Sequence, residues 1–395
     1  MPDRKSRGIR RRPGNRLMII LLIIAVFFSM VGRAIFPPLM PYLQDELALS
    51  LTAVGTLFLL SSISFSLVMV YSGYLTAWIG HGNTVVVALV MILVGLTISA
   101  CAGNEMTLAL GMIFAGAGGG TYAPSGIAMI NTSISIEQRS TAFSFHEIGP
   151  NAAILLSPLI VLAAFPLLGW RGVLLMIATL TGVAAAAFYV FGAFQSGVGA
   201  RPNLSTIGTI LHLPDAYVAM LMFSVSLAGL HGVYSILPAY LVVHSTWSVE
   251  HVNALVTLSR VISISALLLA GPIIKFLGKR NTMMTVLMFT GVLIGLISVT
   301  EGSMLEIVVV LQPALIAVMF PALLSSLAEI GEAWHQNVTT ALVVTVGMVV
   351  GAGIVPALVG FWGDLGIGWL GFIMLALSMF LAIAILVLNP SFGRR

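Results

Sequence analysis

The sequence predicts an all-α polytopic membrane protein whose twelve transmembrane helices form two pseudo-symmetric six-helix bundles. Three observations carry this expectation. The 395 residues are 59% hydrophobic and only 8% charged, against about 25% charged in a soluble domain. Twelve apolar runs approach or exceed the ~20 residues that cross a hydrocarbon core of ~30 Å. The chain also partly matches itself at an offset of 198 residues.

The first run, 17–43, follows Arg4, Lys5, Arg7, Arg10, Arg11, Arg12 and Arg16. It is longer than the core of a signal peptide and carries Pro37-Pro38 rather than a small-residue cleavage site, so a retained helix is expected. Runs 52–77, 84–103, 106–131, 141–165 and 171–193 complete a first six; 214–243, 250–275, 282–300, 304–329, 337–361 and 365–388 form a second. The longest polar interval, from Gln195 to Asp215, separates the sets. The expected organisation is a basic tail 1–16, an N-terminal bundle 17–193, a central cytoplasmic loop 194–213, a C-terminal bundle 214–388 and a tail 389–395.

With the N-terminus cytoplasmic, the inside segments hold those basic residues together with Arg139, Arg201, Lys275, Lys279, Arg280, Arg394 and Arg395, and only Arg171 falls outside. This is the asymmetry that orients membrane proteins. It accounts for the net charge of +4 and pI near 9.4, so the lipid bilayer is the expected partner and nucleic acid is not; a monomer is also expected, though nothing in the charge pattern bears on it. Both termini are then cytoplasmic in the inner or plasma membrane. Cys101 is the single cysteine, which excludes intramolecular disulfides and cysteine-rich metal sites.

At the 198-residue offset Tyr42 meets Tyr240, Ser50 meets Ser248, Gly73 meets Gly271, Gly80 meets Gly278, Asn83 meets Asn281, Gln138 meets Gln336, Gly149 meets Gly347 and Pro158 meets Pro356. The matches fall at equivalent places in the two sets of six. Parallel repeats of this kind surround a central cavity and serve alternating access.

On these residues the chain resembles a major facilitator superfamily transporter over essentially its full length. The loop Gly73-Tyr74-Leu75-Thr76-Ala77-Trp78-Ile79-Gly80-His81-Gly82 is similar to the family's G-x-x-x-D-R-x-G-R-K signature in its glycines, but Ala77 replaces the acid and Trp78 the base. The resemblance implies gating loops around Gly73, Gly80, Gly271 and Gly278, without the usual ion pair at Ala77-Trp78. Glu137-Gln138-Arg139-Ser140-Thr141-Ala142 and Pro356-x-x-x-Gly360-x-x-x-Asp364 are similar to further family patterns.

Arg33, Glu147 and Arg260 lie well inside the runs. An arginine at mid-membrane costs about 2.5–3.5 kcal/mol on insertion scales, so each should face a wet cavity or a partner. Arg33 lies about 24 Å along helix 1 and Arg260 about 12 Å into helix 8 from the other face, which are comparable depths. A planar guanidinium engages a carboxylate bidentately and keeps its charge. The plainer reading is a side chain that snorkels to the interface or caps a helix-end carbonyl. Gly32-Arg33-Ala34-Ile35-Phe36-Pro37-Pro38 resembles the first helix of organic-anion facilitators, and an arginine in helix 8 is similar to that of monocarboxylate and oxalate carriers. Both resemblances imply an anionic substrate.

The offset sets His231 opposite Arg33, with Tyr234 three residues on. His231 either reaches the same substrate or bonds a neighbouring helix. Glu147, beside His146 and one turn before Asn151, suits proton loading, and its alternative is a structural bond between the halves. In Ala115-Gly116-Ala117-Gly118-Gly119-Gly120-Thr121-Tyr122 the lysine of a phosphate-binding loop is missing, so the small residues are read as helix-packing positions; Tyr122 can line the cavity.

The expected function is secondary transport of a small organic anion, a carboxylate, by alternating access with proton symport. Arg33, Arg260, His231, Tyr122 and Tyr234 bind substrate, and Glu147 with His146 carries the proton. The alternative is proton-antiport efflux of drugs or amphipathic metabolites. No cofactor or metal is expected, and no nucleophile–base or metal-ligand pattern points to an enzyme.

Overall fold

Short connections force successive helices to lie antiparallel. In the computed structural model, which describes residues 15–134, 136–192, 204–327, 329–330 and 336–393, α1 (Arg16–Leu47), α2 (Leu51–Ile79) and α3 (His81–Ala100) are joined by only a few residues, and α4 is Glu105–Ser133. Helices α5 (136–168) and α6 (170–191) are the arms of Ile136–Phe191, turned at Gly169 where φ is 62°. Then follow α7 (Pro214–His244), α8 (Val249–Leu268), α9 (Lys279–Ile297), α10 (Gly302–Leu327), α11 (Val338–Asp364) and α12 (Trp369–Leu388).

Ten helices among the described residues are long and apolar enough to cross a membrane. One of these spans both α5 and α6, and the glycine-rich α4 packs between α2 and α3, so twelve membrane helices result. The helix continuing α8, Ala270–Leu277, and a short helix Leu204–Leu211 inside the predicted central loop complete the chain. The basic residues Arg4, Lys5, Arg7, Arg10, Arg11, Arg12, Arg201, Arg394 and Arg395, residues 194–203 of that loop, and the side chains of Glu137 and Gln336 lie outside the described residues.

The repeat is visible in the backbone. Ser50 and Ser248 each cap the following helix, accepting from Ala53 N and His251 N. Gly80 (φ 81°, ψ 161°) and Gly278 (φ 78°, ψ 156°) each end one helix and begin the next, in a region essentially closed to any residue with a Cβ. Helix pairs repeat as well: α1–α5, α2–α4 and α3–α6 in the first bundle correspond to α7–α11, α8–α10 and α9–α12 in the second. The halves meet through α2–α11, its counterpart α5–α8, and α1–α7 on the pseudo-axis. The most apolar window of α7 is accordingly 78% buried, while that of α5–α6 is 22% buried.

Alternation of direction brings Arg16, Arg139, Lys275, Lys279 and Arg280 to one end of the molecule, hereafter the basic end. Arg171 lies at the opposite end, paired with Glu46 and donating to Ala102 O at 3.0 Å. The halves are joined at that opposite end. Leu51 N and Thr52 N donate to the Asp364 carboxylate at 2.9 and 2.8 Å, so a charge from one half caps a helix of the other. Tyr42 OH donates to Glu250 at 3.1 Å, and Asn253 Nδ2 to Pro38 O at 3.1 Å. A Cβ on Gly55 would stand 2.4 Å from Pro356 O, and one on Gly360 2.1 Å from Leu51 O; both glycines permit direct backbone contact between α2 and α11. Toward the basic end Tyr71, Tyr74 and Trp78 of α2 are exposed. Ala77-Trp78 therefore builds no ion-pair lock.

Candidate functional site

Prolines prepare the centre of the site. Pro37 and Pro38 have no N–H, so the carbonyls one turn earlier lose their helical donors, and α1 breaks at Ile35, two residues after Arg33. Tyr234 of α7 donates to one of the released carbonyls, Ala34 O, at 3.0 Å. That hydrogen bond ties the halves together beside the two arginines.

Arg260 is 6% exposed. Its guanidinium carbon lies 4.3 Å from the centroid of the Tyr234 ring, a cation–π contact. Arg33, from the other half, lies 4.7 Å from the Phe65 centroid. Its stem runs over Gly119, where an added Cβ would sit 3.3 Å from Arg33 Cδ and 3.1 Å from Phe65. The glycine run of α4 is thereby explained: Gly116 and Gly120 abut Ser61 O and Phe65 O of α2, Gly118 abuts Ala88 O of α3, and Gly119 makes room for the arginine. The Nε atoms of both arginines are shielded from solvent and have no protein hydrogen-bond partner. Among the described residues neither guanidinium is in an ion pair. Aromatic faces offset little of the cost of such charges.

His231 lines the cavity of each guanidinium. It lies in the π-helical turn Ala228–Gly232 of α7, a form of helix common at functional sites. A narrow cavity holds Arg33, His231 and Tyr234 with Ser61 and Ser62. A larger one, about 240 Å³, holds His231, Arg260, Glu147 and Asn151 among apolar residues such as Phe320, and extends toward the basic end. Met30, Ile154 and His231 line both. The structure thus brings together Arg33, Arg260, His231 and Tyr234, with Glu147 at the cavity margin.

Tyr122 is placed elsewhere. It is 2% exposed inside the N-terminal bundle, bonded to Leu22 O at 3.1 Å and His146 Nε2 at 2.9 Å, and lines neither cavity. His146 is buried with it, and the neighbouring Glu147 carboxylate stands 3.8 Å from His146 Nδ1. Asn151 Nδ2 donates to Glu147 O at 2.8 Å. Of the glycines expected in the gating loops, Gly80 and Gly278 have the left-handed backbone that needs glycine, Gly271 faces open space and Gly73 lies half-buried within α2.

Three contributors escaped the sequence reading. Asn253 is fully buried seven residues before Arg260 and thus on the same helical face; a polar residue at that spacing was a readable signal. Phe65 and Gly119 carried none, because an aromatic ring or a glycine in an apolar run is ordinary until the arginine's path is known.

A model of the Major Facilitator Superfamily matches residues 22–245. No curated protein matches the sequence. Among solved structures, a bacterial homologue of the human lysosomal transporter Spinster, in an inward-facing and occupied conformation, superposes with a TM-score of 0.77 at 11% identity, covering 97% of this chain and 98% of that one. A mutant of the peptide transporter POT superposes with a TM-score of 0.78 at 15% identity, covering 97% of each chain. The nucleoside transporter NupG gives 0.72 at 13% identity, covering 94% of this chain and 98% of its own. At these identities the structural likeness speaks for the fold, and the family model reaches across more than half of the sequence: the chain belongs to the major facilitator superfamily of transporters.

Proposed function

We propose that the protein is a secondary active transporter that moves a small organic anion, a carboxylate, across the cytoplasmic membrane by alternating access in symport with protons. The observation that carries this reading is the pair of guanidiniums, one from each half, that share cavities with His231 and have no acidic partner among the described residues. A carboxylate bound between them neutralises charge that neither bundle neutralises itself, and it engages both halves at once. Tyr234 and His231 shape its seat. Glu147, at the cavity margin, and His146 behind it carry the proton. With the termini cytoplasmic, the sealed end is the outer face and the cavity opens inward, the state in which a substrate is released to or taken from the cytoplasm.

Loading favours the switch because a neutralised cavity costs less to seal from water than one holding bare arginines. The apolar side of the larger cavity, including Phe320 and Leu324, is what efflux of amphipathic compounds by proton antiport would use. Purified protein in liposomes separates the two readings. Uptake of small carboxylates that rises with an inward proton gradient supports symport of an anion; transport competed only by lipophilic cations refutes it.

A further inference from the structure

We infer that the proton is accepted at Nδ1 of His146, and that Tyr122 is the positioning residue that leaves this nitrogen free. The inference rests on the proton-symport reading and names the atom at which that reading acts.

Three contacts lead to it. Leu22 O is a carbonyl and can only accept, so in the 3.1 Å contact the Tyr122 hydroxyl is the donor. A phenol has one proton. The 2.9 Å contact between Tyr122 oxygen and His146 Nε2 is then a hydrogen bond only if Nε2–H donates to the phenol oxygen. With the Nε2–H tautomer fixed, the lone pair of neutral His146 is on Nδ1. That atom is buried and has no hydrogen-bond partner, although His146 is only 5% exposed. An unpartnered acceptor at such a site is costly unless it is used.

Among the described residues, Glu147 is the acid that stands beside Nδ1. Glu147 Oε1 lies 3.8 Å away, too far for a hydrogen bond and close enough for an ion pair once the ring is protonated. The Glu147 side chain is 66% exposed and lines the cavity with Arg260. A proton arriving from the cavity reaches Glu147 first and Nδ1 second, and the product is a His146 imidazolium beside a Glu147 carboxylate. The other groups facing the pair are few: α4 presents Tyr122, α1 presents the apolar Leu22 and Val26 with Arg16 at its far exposed end, and α8 presents Arg260 across the cavity. Tyr122, expected to touch substrate, acts here through His146.

The tautomer can be measured without transport. Full-length protein with ¹⁵N-histidine in lipid nanodiscs has seven histidines, and His146 is assigned by the signal lost in His146→Gln. The expected spectrum of neutral His146 has a protonated Nε2 and a bare Nδ1, and acidification converts Nδ1. In Tyr122→Phe the neutral ring becomes a mixture of both tautomers. A neutral His146 protonated on Nδ1, or an unchanged tautomer in Tyr122→Phe, overturns the inference. The wild-type spectrum decides by itself if Tyr122→Phe fails to fold. Carboxylate uptake unaffected by a proton gradient, with the Nε2–H tautomer present, instead refutes the symport reading.

Discussion

In the proposed reading Arg33 and Arg260 set what the site can hold: each guanidinium lies over an aromatic ring, and among the described residues neither is in an ion pair. Lysine keeps the charge and loses the fork, so Arg33→Lys and Arg260→Lys should each lower kcat/KM for carboxylate uptake by about tenfold or more, read as initial rates in liposomes. Tyr234 has a different task. Tyr234→Phe keeps the ring over Arg260 but leaves Ala34 O, already deprived of its helical donor by Pro38, without a hydrogen bond. A loss of about 1–3 kcal/mol is expected, visible as a lower thermal unfolding midpoint. At this scale the sequence was partly legible. A charge inside an apolar run identifies itself by its cost, and the 198-residue offset led from Arg33 to His231. Tyr122 misled because its hydroxyl can serve a cavity or a neighbouring histidine equally well, and only the packing of α1, α4 and α5 decides.

Among the elements, α4 and the glycine corners carry the sharpest requirements. Gly119→Val would drive a side chain into Phe65 and the Arg33 stem, and should weaken carboxylate binding, whereas Gly103→Ala, which meets open space, should not; a binding titration of both variants checks this. Gly80→Ala and Gly278→Ala each force a Cβ into a backbone region reserved for glycine and should cost about 1–3 kcal/mol apiece. Similar losses at the two positions are expected because φ and ψ agree within a few degrees. The order of the helices was legible from their length and apolarity. The π-helical turns at Ala228–Gly232 and Val350–Ile354 were not, whereas the break in α1 follows from Pro37-Pro38 and the turn at Gly169 from a glycine at positive φ.

For the whole molecule, in the proposed alternating access, pseudo-twofold packing means that closing one end opens the other. The contacts at the end opposite the basic end hold the present state, and Asp364 at the start of α2 is a charged member of that seal. Asp364→Asn keeps the shape but removes the charge from the helix N-terminus and turns one of the two accepting oxygens into an NH2 that cannot accept, a loss of about 1–3 kcal/mol. In a Cys101→Ser background, thiol labelling of Leu57→Cys, buried beneath the seal, should then quicken about fivefold or more from that side. The sequence announced two halves through its repeat. It could not announce which end is closed, because both arrangements are built from the same residues.

The central claim is that two guanidiniums, one from each bundle, are tolerated at the centre because a travelling anion neutralises them. The most direct measurement is equilibrium binding of a panel of small radiolabelled carboxylates to the purified protein, to Arg33→Ala and to Arg260→Ala, each verified as folded. Saturable binding to the unaltered protein that is lost in both single variants is the predicted result. Carboxylate binding that persists unchanged in either variant would contradict the account.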